Sequence, residues 1–189
     1  MLQNKHCRAI GVLSAVIAYP FIVISVVLTP WFNFYDNALS DLGNIAWNAP
    51  VAYVFNFGMI FSGFLIASFA IMISFKNYSW KYLLWSIPLV FAGVFLMLIG
   101  VFPEDAGTIH KLVSIIFFLL LIFIMLIYSF CSRALGTSAT GIVALVFSIM
   151  SVAVWMVKWG WKGVAIQETV ASIMASIWLL LVAIQKLEK

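Results

Sequence analysis

Three ionisable residues, Asp41, His110 and Glu168, stand out because the chain has so few of them. Only 8% of its 189 residues are charged, whereas 66% are hydrophobic. A carboxylate can take a proton from a reacting group and a histidine can supply one, provided that both reach the substrate. We therefore predict that Asp41, His110 and Glu168 are catalytic and that they face one shared cavity.

The segment NALSDLG, residues 37–43, brings polar side chains into an otherwise apolar chain. Asn37, Ser40 and Asp41 are spaced i, i+3 and i+4, so they share one face if the segment forms a helical turn. Asn56 follows near the start of an apolar run and should point away from lipid. We predict substrate binding by Asn37, Ser40 and Asn56. The competing interpretation is that Asn37 or Ser40 caps a local turn and Asp41 faces water.

The segment FPEDAGTIHK, residues 102–111, joins two apolar runs. Glu104 and Asp105 precede a helix start, where the helix dipole favours negative charge whether or not that charge has a function. His110 lies in the first turn of that helix, where its cation is disfavoured, so a carboxylate or a metal would be a suitable partner. The competing interpretation is that His110 only forms hydrogen bonds.

Glu168 lies about one turn inside the last apolar run, and Ser172 and Ser176 follow it at intervals of four residues. Ionisable side chains within a membrane span are rare and are usually functional. The competing interpretation is that Glu168 marks the outer end of the span, where Lys162 or the helix dipole stabilises its charge.

The acidic residues and the histidine could alternatively bind a divalent metal, because carboxylate oxygen and imidazole nitrogen suit such ions. A bound metal would activate water or polarise a carbonyl or phosphoryl oxygen. The candidate ligands are Asp41, Glu104, Asp105, His110 and Glu168. The sequence contains no HExxH motif, no P-loop and no GxSxG motif, so none of these known site types is indicated.

Six apolar runs must position these residues. A helix needs about 20 apolar residues to cross a bilayer, and runs of that kind lie at 10–29, 51–75, 82–102, 109–131, 139–157 and 164–185. The first run is preceded by basic residues, as in a signal peptide, but no small-residue cleavage site follows it, so we predict a retained helix. The predicted fold is an all-α integral membrane protein, with one domain over residues 1–189 built as a compact bundle of six transmembrane helices.

Basic residues predict the orientation, because Lys and Arg are enriched on the cytoplasmic side of a membrane. Seven lie at the two termini and in the second and fourth loops: Lys5, Arg8, Lys76, Lys81, Arg133, Lys186 and Lys189. Three lie on the other side: Lys111, Lys158 and Lys162. We therefore predict cytoplasmic termini in a multi-pass plasma-membrane protein, with Cys7 and Cys131 as free thiols in a reducing compartment. Because the basic residues form no stripe, nucleic acid is not a predicted partner.

The segment NALSDLGN, followed two spans later by VFPED and a histidine, resembles an uncharacterised family of prokaryotic six-span membrane proteins, known as a domain of unknown function. The residues that carry the resemblance are Asn37, Ser40, Asp41, Leu42, Gly43, Phe102, Pro103, Glu104 and His110. The resemblance extends over nearly the whole chain and implies the same topology and site. Such proteins look distantly similar to the DRAM and Frag-type eukaryotic membrane proteins, some of which are linked to lipid remodelling. The resemblance supplies no established activity.

Three functional hypotheses follow. The first is a membrane-embedded hydrolase or transferase that acts on membrane lipids at the outer leaflet, either with a bound metal or by acid–base catalysis alone. The second is a transporter or binding protein for a small cation or solute, since intramembrane carboxylates also serve ion and proton pathways. Against a transporter, the sequence places no matching acidic group within the inner ends of the spans. The third is a structural or regulatory membrane subunit in which the polar residues only join helices. We favour the lipid-directed enzyme.

Overall fold

The computed structural model describes residues 2–77 and 79–185, and within these ranges it contains eight α-helices and no strand. The helices are α1 (Leu2–Val16), α2 (Ala18–Val27), α3 (Ile45–Asn48), α4 (Val51–Lys76), α5 (Trp80–Val101), α6 (Thr108–Ser132), α7 (Ser138–Met156) and α8 (Ala165–Ile184). Short 3-10 turns lie at Leu39–Gly43, Glu104–Ala106 and Arg133–Leu135. In the described part of the chain, the regular secondary structure is therefore entirely helical.

Six helical segments are long and apolar enough to cross a membrane, which confirms the predicted all-α bundle of six spans. They are Lys5–Val27, Val51–Lys76, Trp80–Val101, Thr108–Leu135, Ser138–Met156 and Ala165–Ile184. The first span differs from the prediction because it is interrupted at Ile17, between α1 and α2. Pro20 explains the interruption, since it has no N–H to donate to the carbonyl of Val16 one turn earlier.

The spans pack in chain order around a central space. α4 packs on α5, α5 on α6, α6 on α7 and α7 on α8, while α1 packs on both α4 and α8. α7 covers the seam between α6 and α8, which touch each other at only a few points. The tightest pair is α4 with α5, where a Cβ atom on Gly63 would collide with the carbonyl oxygen of Gly93. Small residues at such crossings let membrane helices approach closely.

Residues 28–50 fold over one end of the bundle, which we name the outer end, following the predicted orientation. The carbonyl oxygen of Asn37 accepts hydrogen bonds from the N–H groups of Val164 and Ala165 at 3.0 and 2.9 Å. These N–H groups belong to the start of α8 and have no partner within that helix. The first loop therefore caps α8 and is held against the loop between α7 and α8.

Three aromatic rings, Trp85, Tyr128 and Trp178, close the opposite end of the central space. Their centroids lie 5.2 Å (Trp85–Tyr128), 5.4 Å (Tyr128–Trp178) and 6.3 Å (Trp85–Trp178) apart, with the planes steeply inclined. All three side chains are fully buried. We name this group the aromatic floor. Edge-to-face packing of this kind stabilises aromatic pairs beyond the effect of the area they bury.

Candidate functional site

Two cavities lie within the bundle. The first, which we name the vestibule, has a volume of about 330 Å³ and lies beneath the first loop. Its polar lining residues are Ser40, Glu104, His110, Lys111, Ser114 and Glu168. The second, which we name the chamber, has a volume of about 100 Å³ and is lined mainly by apolar side chains of α1, α2, α4, α5, α6 and α8. The chamber extends along the bundle to Trp178 and Leu179, next to the aromatic floor.

The vestibule and the chamber meet at four residues that line both: Ser40, Ser114, Phe118 and Glu168. Ser40 comes from the first loop, Ser114 and Phe118 from α6, and Glu168 from α8. The two cavities therefore adjoin at these four side chains, and we name this meeting point the junction. A binding site that is mostly apolar with a few converging polar groups is typical of small-molecule sites.

His110 is held in one defined orientation beside the junction. Its Nδ1 lies 2.7 Å from the carbonyl oxygen of Phe102, the residue that follows the last residue of α5. Because a carbonyl only accepts hydrogen bonds, Nδ1 carries the hydrogen, and in the neutral ring Nε2 carries the lone pair. Gly107 lets the chain bring His110 back towards Phe102, because its φ of +64° allows a sharp turn before α6 begins.

Ser114 lies one helical turn after His110, with its Oγ 3.3 Å from Nε2 of the imidazole. Residues four apart on a helix share a face, so α6 alone fixes this pair. His110 is buried at 4% exposure, whereas Ser114 is half-buried and lines both cavities. The sequence reasoning missed Ser114, although its spacing from His110 in HKLVS was an available signal.

Glu168 is buried in the first turn of α8, with 8% of its surface exposed, and it also lines both cavities. Its Oε2 accepts a hydrogen bond from the backbone N–H of Leu39 at 2.6 Å. The start of a helix favours negative charge, which offsets part of the cost of burying this carboxylate. Glu168 thus joins α8 to the turn that covers the vestibule.

Asp41 points back into its own turn. Its Oδ2 accepts hydrogen bonds from the N–H of Ala38 at 3.0 Å and from Nδ2 of Asn37 at 2.9 Å. Neither Asp41 nor Asn37 lines the vestibule or the chamber. The turn is therefore capped locally, but by Asp41 itself rather than by Asn37 or Ser40. Asp41 does not line the vestibule with His110 and Glu168.

Glu104, Asp105 and Asn56 also hold the first loop in place. Glu104 and Asp105 do so from the turn between α5 and α6, and Asn56 does so from α4. Glu104 Oε2 accepts a hydrogen bond from Nδ2 of Asn44, and Asp105 Oδ1 accepts one from the N–H of Ile45 at 3.2 Å. Asn56 Nδ2 donates to the carbonyl oxygen of Gly43 at 2.9 Å. Of these three anchors only Glu104 lines the vestibule.

The possible metal site is not assembled in this geometry. Within residues 2–77 and 79–185, no group of three or more His, Cys, Asp and Glu side chains is close enough to hold an ion. Of the five candidate ligands, Glu104, His110 and Glu168 line the vestibule, but they are not grouped closely enough to share one ion. The arrangement of the described residues therefore does not fit a bound metal ion.

Comparison with known proteins gives one match. A family model described as "Protein of unknown function (DUF998)" matches residues 12–185. No curated protein and no solved structure matches the chain. The matched range contains all six spans apart from the first turns of α1, together with both loops that form the vestibule.

Proposed function

Since the chain belongs to the DUF998 family of proteins of unknown function, we propose its function from the site: a membrane-embedded enzyme, a hydrolase or transferase, that acts on a membrane lipid. The lipid headgroup occupies the vestibule and one of its chains enters the chamber. The reaction takes place at the junction, where the polar and apolar parts of the lipid meet.

The observation that carries this proposal is that the vestibule, lined in part by the ionisable side chains of His110, Lys111 and Glu168, adjoins the apolar chamber at four shared lining residues: Ser40, Ser114, Phe118 and Glu168. An amphiphile is the class of molecule whose own polarity changes along its length in this way, and burial of its chain supplies most of its affinity. Glu168 and Trp178 lie ten residues apart in α8, which corresponds to about 15 Å at the helical rise of 1.5 Å per residue. The aromatic floor then limits how deeply an acyl chain of the lipid can extend into the chamber.

A lipid also needs a route from the bilayer. The wall of the vestibule between α6 and α7 includes Ile115, Phe118 and Trp155. Ile115 is 58% exposed and Trp155 is 36% exposed, so this wall faces the membrane directly. We propose that the lipid enters sideways between α6 and α7, where only apolar side chains must move.

The transport and scaffold hypotheses account for less of the molecule. A transporter must open its site to both sides of the membrane in turn, whereas the fully buried aromatic floor lies between the chamber and the inner end. A scaffold role explains the hydrogen bonds of Asp41 and Asn56 but leaves the two adjoining cavities without a function. The lipid-directed enzyme accounts for both the hydrogen bonds and the cavities.

Lipid retention in purified protein tests the proposal. Ala175 lines the chamber on α8, whereas Ile177 on the same helix is 42% exposed to the bilayer. We expect Ala175→Phe to lose the lipid that native mass spectrometry detects on the wild-type protein, and Ile177→Phe to keep it. Ser172→Leu, a smaller change in the chamber, should also reduce occupancy and serves if Ala175→Phe does not fold. Equal occupancy in all four proteins, or none in the wild type, would overturn the proposal.

A further inference from the structure

We propose that Ser114 is a nucleophile and His110 its general base, and that this pair transfers the acyl group of a lipid ester. The inference rests on the proposed function and names its reaction. It starts from the 3.3 Å approach of Ser114 Oγ to His110 Nε2. A serine is activated when an adjacent base takes its proton and a third group orients that base.

The carbonyl of Phe102 is the orienting group. It receives the Nδ1 hydrogen of His110 at 2.7 Å, which turns the lone pair of Nε2 towards Ser114. In serine hydrolases a carboxylate often fills this place, and its main role is to hold the correct tautomer and ring orientation. A carbonyl acceptor supplies the same orientation without adding a negative charge to the buried site.

The position of Ser114 matches the position of an ester in a lipid. The ester bond lies between the polar headgroup and the apolar chain, and Ser114 lies at the junction between the vestibule and the chamber. A lipid bound across both cavities would therefore place its ester carbonyl carbon beside Ser114 Oγ. Catalytic hydrogen bonds are often long before substrate binds and shorten in the complex, so a 3.3 Å separation suits a resting pair.

The reaction balances with water or an acceptor alcohol as the second substrate. Ser114 Oγ forms a bond to the ester carbonyl carbon and its proton passes to His110 Nε2. The ester C–O bond then breaks, and the leaving alcohol takes the proton from His110. Water or the acceptor alcohol next attacks the acyl-serine, again giving a proton to His110, and the bond to Ser114 breaks as that proton returns to its oxygen. The Lys111 ammonium lines the same vestibule and can stabilise negative charge on the carbonyl oxygen.

The competing explanation is that Ser114 only satisfies the second nitrogen of His110 within one helix. Helical serines do form such local hydrogen bonds, and Ser129, further along α6, bonds the carbonyl of Leu126 at 2.7 Å. Ser129 is likewise half-buried but lines neither cavity. It is therefore a matched control for any change made at Ser114.

An alkyl fluorophosphonate, which bonds covalently to activated serines, separates the two explanations. We expect the probe to label the wild-type protein in membranes, with the adduct mapped to Ser114 by peptide mass spectrometry. Ser114→Ala should abolish labelling and Ser129→Ala should leave it unchanged. His110→Gln, which removes the base, should slow labelling by about 100-fold, the lower range for loss of a general base.

The outcomes distinguish this inference from the proposed function. If the wild-type protein retains lipid but is not labelled, or is labelled equally after Ser114→Ala, the nucleophile is wrong and the lipid site stands. Labelling at another serine leads to the same conclusion. If the wild-type protein carries no lipid, the proposed function falls, and an adduct on Ser114 would then show an activated serine that acts on a different ester.

Discussion

The backbone N–H of Leu39 donates a hydrogen bond to Glu168 Oε2 at 2.6 Å, although the two residues lie 129 positions apart. This bond ties the Leu39–Gly43 turn to the first turn of α8 directly above the junction. Leu42 in the same turn is completely buried, so the turn is also packed against the bundle. The roof of the vestibule therefore depends on a carboxylate that also lines both cavities.

Glu168→Ala should loosen this roof, because it leaves the buried N–H of Leu39 without a partner. The expected cost is about 1–3 kcal/mol of unfolding free energy, with faster hydrogen–deuterium exchange over residues 37–44. Glu168→Gln retains a carbonyl acceptor and should lose less stability. Exchange that is unchanged in Glu168→Ala would show that the hydrogen bond to Leu39 does not hold the turn.

Asp41 distinguishes a structural from a chemical role for the NALSDLG segment. Because its carboxylate caps the turn through Ala38, Asp41→Ala should lower stability by about 0.5–2 kcal/mol while fluorophosphonate labelling persists. The exposed Asp36 offers a control, and Asp36→Ala should change stability less. If Asp41→Asn abolished labelling at wild-type stability, Asp41 would belong to the reactive site after all.

The predicted orientation of the bundle rests on its basic residues, seven on one side and three on the other. In a variant in which Cys7 and Cys131, both buried free thiols, are replaced by alanine, Ala38→Cys and Thr137→Cys should label from opposite sides of the membrane. A membrane-impermeant maleimide applied to sealed cells should reach only position 38. Labelling of both positions from the same side is incompatible with six spans and cytoplasmic termini.

The spans were predictable because hydrophobic length is a local property of the sequence. All six appear within a few residues of their predicted bounds, except that α1 extends the first span towards the N-terminus. The interruption at Ile17 was indicated only weakly by the sequence, through Pro20 in the first span. The single domain, the cytoplasmic termini and the plasma membrane stay predictions, as does the distant likeness to DRAM and Frag-type proteins.

The candidate site was harder to predict because its partners are distant in sequence. The burial of His110 and Glu168 follows from the cost of turning such groups to lipid. Their acceptor and donor, the carbonyl of Phe102 and the N–H of Leu39, are backbone groups whose positions depend on the folded loops. The sequence is equally consistent with Asp41 facing its own turn and with Asp41 facing a cavity. Only the folded structure distinguishes the two orientations.

Photo-crosslinking with a phospholipid that carries a diazirine at the end of one acyl chain tests the central claim most directly. If the chain enters the chamber as far as the aromatic floor, peptide mapping should locate adducts on Trp178 and Leu179, which line its inner end. Ala175→Phe should remove these adducts. Adducts confined to bilayer-facing side chains of the same helix, such as Ile173 and Ile177, would contradict a lipid site inside the bundle.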